Sequence, residues 1–365
     1  MVENKRKIFG FKRVAEILKQ RGGFTQDMGI SESETYVKNF RNRFSEAALY
    51  GFEYDQALRL ERKLIDKFGG KSLEKVIPGK VISNEYGDCY QISNEHDISF
   101  KQANYEESRR LILSNLHLLY GIGPVREEAL KRRGYATIED LKRHPIWHRS
   151  AIEFSRLVDA KQIGPIQKWL WRRLPKSHPL SHYLAGFCRD EDFAIVDIET
   201  LGLFGRPIIL IGVAFPRKNK IYTDQYLLRD ISDEVGALWA FVSTLKADQS
   251  FITFNGRSFD IPFIQQRLAF YGMDASLDHP HFDLLHFTRR ALRSKLDNCR
   301  LETVEQYLGL QREINIPSGL VPHFYHTYLK TRNIGPLVPI LEHNKRDLLT
   351  LACLFSKLYE EWDIC

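Results

Sequence analysis

The sequence predicts an α/β protein: a mixed sheet flanked by helices, preceded by a mainly helical N-terminal module that contains a small β unit. Three observations lead there. Beyond residue 190, apolar strand-like runs follow one another closely and give way to helical patterns. Before it, apolar and polar residues mix at helical spacing, interrupted once by an alternating stretch. Charge divides at the same point: residues 1–190 hold 34 Lys and Arg against 24 Asp and Glu, net +10, and residues 191–365 hold 19 against 22, net −3.

The elements follow in order. Residues 1–70 read as helical, most clearly in YDQALRLERKLIDKFGG (54–70), which two glycines close. In 71–104, KVISNEYGDCYQIS alternates around a Tyr-Gly-Asp break and suits a small β-hairpin unit. Residues 105–180 are helical again, and KSHPLSHYLAGF (176–187) reads as the connection to a second domain. That domain, 190–363, opens with three strands, AIVDIE, PIILIGVAF and KIYTDQYLL. A helix follows in DEVGALWAFVSTL, then a strand in SFITFN, then helices to the end. A chain of 365 residues suffices for two domains with their own cores.

Composition narrows the function classes. With 43% hydrophobic and 27% charged residues, the chain has the make-up of a soluble globular protein. No apolar run approaches a membrane span. The start, MVENKRKIFGFKR, lacks the apolar segment of a secretory signal, so a cytoplasmic location is expected. Five scattered cysteines without a CxxC pair indicate neither a disulfide framework nor a zinc site, and are expected to be reduced and mostly buried. The basic first half points to a polyanion, DNA or RNA.

The basic charge is densest in 101–190, where 17 Lys and Arg face 9 Asp and Glu. Within it, LYGIGPVREEALKRRGYATIEDL (119–141) places Gly121 and Gly123 around one apolar residue and Pro124 at the start of a helix. Glycines permit a tight turn between helices, and the free amides at the next helix start can hold a phosphate. Arg126, Lys131, Arg132 and Arg133 follow within reach of neighbouring phosphates. The stretch resembles a helix-hairpin-helix motif, which implies contact with the nucleic-acid backbone. Trp147, Trp169 and Trp171 interleave with further basic residues and can stack bases. Equally, a GxG turn can be purely structural and the tryptophans part of a core.

The second half carries acidic residues at three places. In FAIVDIETLG (193–202), strand alternation points Asp197 and Glu199 to one face, where they repel unless a cation pairs them. In TFNGRSFDIPFI (253–264), Asp260 follows a strand and a Gly turn, at a helix start expected beside a sheet edge. In LEHNKRDLLTLACLF (341–355), His343 and Asp347 share one helix face. Singly these read as strand-end charges, a helix N-cap and a solvated helix residue. Together, four carboxylates make a hard-oxygen set suited to two Mg²⁺ or Mn²⁺ ions, which can activate water against a phosphodiester. Asp283 is expected to cap the helix that begins there. His281, His286, His323 and His326 form no closed ligand set.

The order DIET, NGRSFD, HNKRD resembles the DEDD exonuclease superfamily, with its ribonuclease-H-like fold. Residues 190–363 are similar to its YprB-like branch, as are the phrases IPGKVISNEYGDCYQI (77–92), FDLLHFTRR (282–290) and CRLETVEQYLGL (299–310). The resemblance implies a metal-dependent 3′–5′ exonuclease. Asp197, Glu199, Asp260 and Asp347 would be the metal-site carboxylates, with Asp197 bridging both ions and Asp260 acting through water. Thr200 and Leu201 would line the terminal nucleotide, and Asn255 and Phe259 would face the substrate strand. The superfamily places a Tyr four residues, or a His five, before the last Asp; here His343 stands four before Asp347. Its ring could orient or deprotonate the attacking water, or merely pack a helix. Two rivals remain on the same residues: a catalytically idle nucleic-acid-binding protein serving a helicase or polymerase, and an endonuclease.

Overall fold

A computed structural model describes residues 47–203, 205–310 and 316–362, with side chains described from residue 54. The expectation of helix over residues 1–46 lies outside the described residues. Ala47–Phe68 (α1) and Leu73–Val76 (α2) lead into a hairpin of Lys80–Asn84 (β1) and Gly87–His96 (β2). Tyr105–Leu113 (α3), Pro124–Arg132 (α4), His148–Asp159 (α5), Ile163–Trp171 (α6) and Pro179–Tyr183 (α7) form the basic helical module. The second half begins with Phe193–Thr200 (β3), Ile208–Arg217 (β4), Lys220–Leu227 (β5) and Glu234–Thr244 (α8). It continues with Ser250–Thr253 (β6), Asp260–Phe270 (α9), His281–Asp283 (β7) and Leu284–Ala291 (α10). Leu301–Tyr307 (α11), Val321–Thr331 (α12) and Leu337–Lys357 (α13) complete the described α-helices and strands, with short 3₁₀ turns between and after them.

The strands form one mixed sheet in the order β1-β2-β5-β4-β3-β6-β7. Short connections make β3, β4 and β5 antiparallel neighbours, and Lys218 and Asn219 adopt positive φ of 46° and 68° in the turn between β4 and β5. The crossover through α8 returns the chain to the far side of β3, where β6 and then β7 pair parallel.

Two features differ from the sequence expectation. The small β unit does not stand apart: β2 pairs with β5 from Tyr90↔Leu227 to His96↔Ile221, so the hairpin extends the sheet. And HFD, expected as the approach to a helix, forms β7 before α10 starts. Three residues, all buried, show no alternation that a sequence reading could use.

Alternation in β3 divides the interior. Ala194, Val196 and Ile198 pack into a core with residues of α1, α8, α9 and α12. Phe193 and Ile195 join the other core, shared with Ile112, Leu130, Phe154, Ile166 and Leu180 of the helical module and the C-terminal half of α13. The module therefore packs directly on one sheet face. It also covers the β7 edge: the Gln167 side-chain amide donates to the His281 carbonyl and accepts from the His281 N–H, both at 3.0 Å. Among the described residues no helix is long and apolar enough to cross a membrane.

Candidate active site

The site is built on the centre of the sheet. Asp197 lies in β3 opposite Gly212 of β4, which lies opposite Gln225 of β5. A Cβ on Gly212 would come 2.2 Å from Asn344 Oδ1, so the missing side chain is what lets α13 lie against the sheet here. Through that gap Asn344 donates to Asp197 Oδ2 at 2.7 Å and to the Asp197 carbonyl at 3.1 Å. Gln225 in turn donates to Asn344 Oδ1 at 2.8 Å and to the Leu341 carbonyl at 3.0 Å, which fixes the orientation of the asparagine amide. Sequence reasoning missed Asn344, Gln225 and Gly212. A glycine and a glutamine within apolar strand runs were the available signals.

The other acidic residues converge on Asp197. Asp260 is the first residue of α9 and accepts the Ile198 N–H at 3.1 Å. The expected placement beside the sheet edge is corrected: β6, which leads to Asp260, lies inside the sheet between β3 and β7. Asp347 comes from α13, one turn beyond His343. Glu199 stands where the β3–β4 register shifts between Glu199 and Thr200. Glu199, Asp260 and Asp347 are buried, Asp197 half-buried.

Electrostatics show how close this set is. Burial, then the charges of Asp347, Glu199 and Asp260, push the Asp197 carboxyl well above the usual carboxylate range, against the Asn344 hydrogen bond. Burial also pushes Asp260 up to about 7, opposed by the Ile198 N–H and assisted by the Asp283 and Asp347 charges. Four acids repelling in a desolvated place are a donor set that a hard divalent cation fits. Among the described residues, no group of three or more His, Cys, Asp and Glu side chains closes into a metal cage as it stands.

His343 is buried with Nε2 3.5 Å from Asp347 Oδ2, 4.0 Å from Glu199 Oε1 and 3.2 Å from Ser318 Oγ. The ring at the Tyr-type spacing thus lies among the carboxylates. Ser318 is a further neighbour that the sequence did not single out.

The Asn255–Asp260 turn is tightly held. Asn255 has φ 65°, and its carbonyl accepts the Ser258 and Phe259 N–H groups at 3.0 and 3.1 Å. Asp283 caps α10 through the Leu285 N–H at 3.2 Å and also accepts the Asn255 and Arg257 N–H groups at 2.8 and 3.3 Å. Asn255 is exposed and Thr200 and Phe259 half-buried, whereas Leu201 is buried in the core. Of the four histidines set aside, His281 is buried against Thr253 Oγ1 at 2.7 Å, and His323 lies 3.1 Å from Glu61.

In the basic module, Gly121 has φ 83° and Gly123 precedes Pro124 as the N-cap of α4. The limb before this turn is a single 3₁₀ turn, Leu116–Leu118. Trp147 and Trp169 hold the turn, donating to the Tyr120 carbonyl at 3.0 Å and the Leu118 carbonyl at 2.8 Å. Arg126 donates to the Gly121 carbonyl at 2.6 Å; Lys131 pairs with Glu127 at 2.9 Å and Arg132 with Glu128 at 3.0 Å.

Residues 194–359 match the RNase_H_2 family of the RNase_H superfamily. The second half is an RNase H-like domain, and proteins of that superfamily are generally nucleases that use divalent metals. The chain is also similar to "Uncharacterized protein YprB" of Bacillus subtilis (strain 168), at 32% identity over 228 residues, 60% of this chain and 52% of that protein. The chain thus spans about half the length of the curated relative it matches.

Proposed function

We propose that the protein is a divalent-metal-dependent 3′–5′ exonuclease acting on DNA or RNA. The observation that carries this reading is the convergence of Asp197 and Glu199 of β3, Asp260 of α9 and Asp347 of α13, with Asn344 bonded to Asp197, the Ile198 N–H to Asp260, and His343 between Glu199 and Asp347. Asp197, Glu199, Asp260 and Asp347 would hold two Mg²⁺ or Mn²⁺ ions. Bound there, such ions would supply an activated water and charge stabilisation for the leaving oxygen. Asn344 orients Asp197, the Ile198 N–H orients Asp260, and His343 stands where a ring nitrogen can position a water beside Glu199 and Asp347. Thr200, Asn255 and Phe259 are the side chains offered to the terminal nucleotide and its strand. The turn at Gly121–Gly123, with Arg133, is offered to the backbone further along.

The test is a time course on 3′- and 5′-labelled single-stranded DNA and RNA, with Mg²⁺, Mn²⁺ or EDTA, for the full chain and Asp197→Asn. Shortening from the 3′ end, abolished by EDTA and by the variant, is expected. Cutting of a circular substrate would replace the reading with an endonuclease. Absence of all metal-dependent cutting would leave a binding protein.

A further inference from the structure

The basic module and the active-site turn are joined by one short strand. At its start, His281 of β7 is clasped on both backbone polar groups by Gln167 of α6. At its end, Asp283 holds the Asn255 and Arg257 N–H groups. Helix α6 and the turn leading into Asp260 are therefore fixed to the same three residues, and Lys168 of α6 adds a pair with Asp278 at 3.3 Å.

What this brings together is a series of cation–aromatic contacts. The Arg257 guanidinium lies 3.9 Å from the centre of the Trp171 ring at the end of α6. Lys176 approaches the same ring at 5.6 Å. Two residues beyond Trp171, Arg173 lies 4.6 Å from the Tyr120 ring at the hairpin turn. Tyr120 is 75% exposed, far from the usual state of a tyrosine with a packing role. The Trp171 indole N–H is buried without a hydrogen-bond partner, so the ring is held there for its face rather than its polar edge.

Charge pairing occupies some of the cations around this surface and not others; among the described residues Arg133 and Arg172, like the cations of these contacts, have no carboxylate within salt-bridge distance. Lys131, Arg132, Lys142 and Lys168 each have a carboxylate within salt-bridge distance. Among the described residues, none is within that distance of Arg173, Lys176 or Arg257. Arg257 is half-buried, and burial lowers its pKa against the pull of Asp283. A desolvated guanidinium stacked on an indole and lacking a salt bridge is suited to accept a phosphate.

Resting on the nuclease reading, we infer that Arg257, Trp171, Lys176, Arg173 and Tyr120 form a track for the unpaired strand behind the 3′ end that is cut. The cations hold successive phosphates, and the Tyr120 ring offers a face to a base. The occupant is a single strand, because a stacking platform needs unpaired bases whereas a duplex presents only its backbone and base edges. The track runs from the turn that ends in Asp260 to the hairpin turn, which gives the hairpin a defined place on the substrate path.

Binding of a fluorescent single-stranded oligonucleotide to the full chain, measured by anisotropy in EDTA across a salt series, tests the inference without cleavage. Arg257→Gln and Arg173→Gln are each expected to weaken binding several-fold and to reduce the log–log salt slope by about 0.7, the share of one phosphate on a single strand. Tyr120→Ala is expected to weaken binding with the slope intact, because the ring is uncharged. Lys357→Gln, which removes the same charge from a residue paired with Glu360, serves as control and is expected to bind as wild type. Wild-type affinity and slope in the two arginine variants overturns the track, as does equally tight binding of a blunt duplex. Parallel reactions with Mg²⁺ and Mn²⁺ separate the two readings. A wild type that cuts while its track variants bind normally removes the track alone. A wild type that never cuts but loses affinity in those variants removes the exonuclease and keeps the track.

Discussion

Asn344 is the residue on which the geometry of Asp197 turns. It reaches the carboxylate only because position 212 has no side chain. Gly212→Ala is expected to cost about 1–3 kcal/mol in urea unfolding, since a crowded core must shift to admit a methyl group. Pairing it with Asn344→Ala is expected to recover part of that loss; strict additivity in the double-mutant cycle would show that the two do not meet. On the proposed reading, in which Asp197 would hold a metal ion, Asn344→Ala alone is expected to lower nuclease turnover by about 10–100-fold, the usual effect of removing a carboxylate's orienting partner.

The raised carboxyls also give a pH dependence. Asp197 and Asp260 hold protons to higher pH in the fold than in the unfolded chain, Asp260 from 3.8 up to about 7. The native state then binds more protons across that window. The stability these two groups contribute is full below the unfolded carboxylate pKa and is lost as pH rises through about 7. Burial lowers the pKa of His178, His182 and His281, which act with the opposite sign, so the measurement is relative. In EDTA, the Tm of the wild type minus that of Asp260→Asn is expected to fall as pH rises from about 5 to about 8, and on the metal-dependent reading Mn²⁺ is expected to raise the wild-type Tm more at the higher pH. A difference between the two that stays constant or grows with pH would contradict this.

At the scale of elements, the loop that follows DIET is tied down by a buried network between α8 and α9. Glu234 accepts from Arg267 at 2.5 and 2.7 Å, from the Tyr271 hydroxyl at 2.7 Å and from the Ile208 N–H at 2.9 Å. Arg267 also donates to the Gly205 carbonyl at 3.2 Å. Arg267→Met strands the carboxylate in the interior and is expected to cost about 3–5 kcal/mol by denaturant titration. Replacing both charges with apolar residues is expected to cost less than either single change.

At the scale of the whole molecule, the helical module and one face of the sheet share a core. A fragment beginning at residue 190 would expose Phe193, Ile195, Ala214, Ile252 and Phe282, which the module helps to bury. Such a fragment is expected to be rapidly digested by limited proteolysis while the full chain resists. A fragment as resistant as the full chain would show that the sheet needs no partner on that face.

Local structure was written in short stretches of sequence. Strand alternation in FAIVDIETLG, the Gly turn before Asp260 and the helical spacing of His343 and Asp347 placed the four acids on their elements, because each signal spans a few residues; their grouping as one set came from the motif order and the resemblance. What those stretches could not convey were relations between distant segments. The hairpin at 80–96 joins the sheet edge, HFD becomes a strand, and Asn344 reaches Asp197 across Gly212 only once β3, β4, β5 and α13 are packed. Trp171 meets Arg257 across two segments that Gln167 and His281 also bring together. Pairing, edge protection and desolvation are properties of chains brought together from far apart, so periodicity within one segment could not contain them.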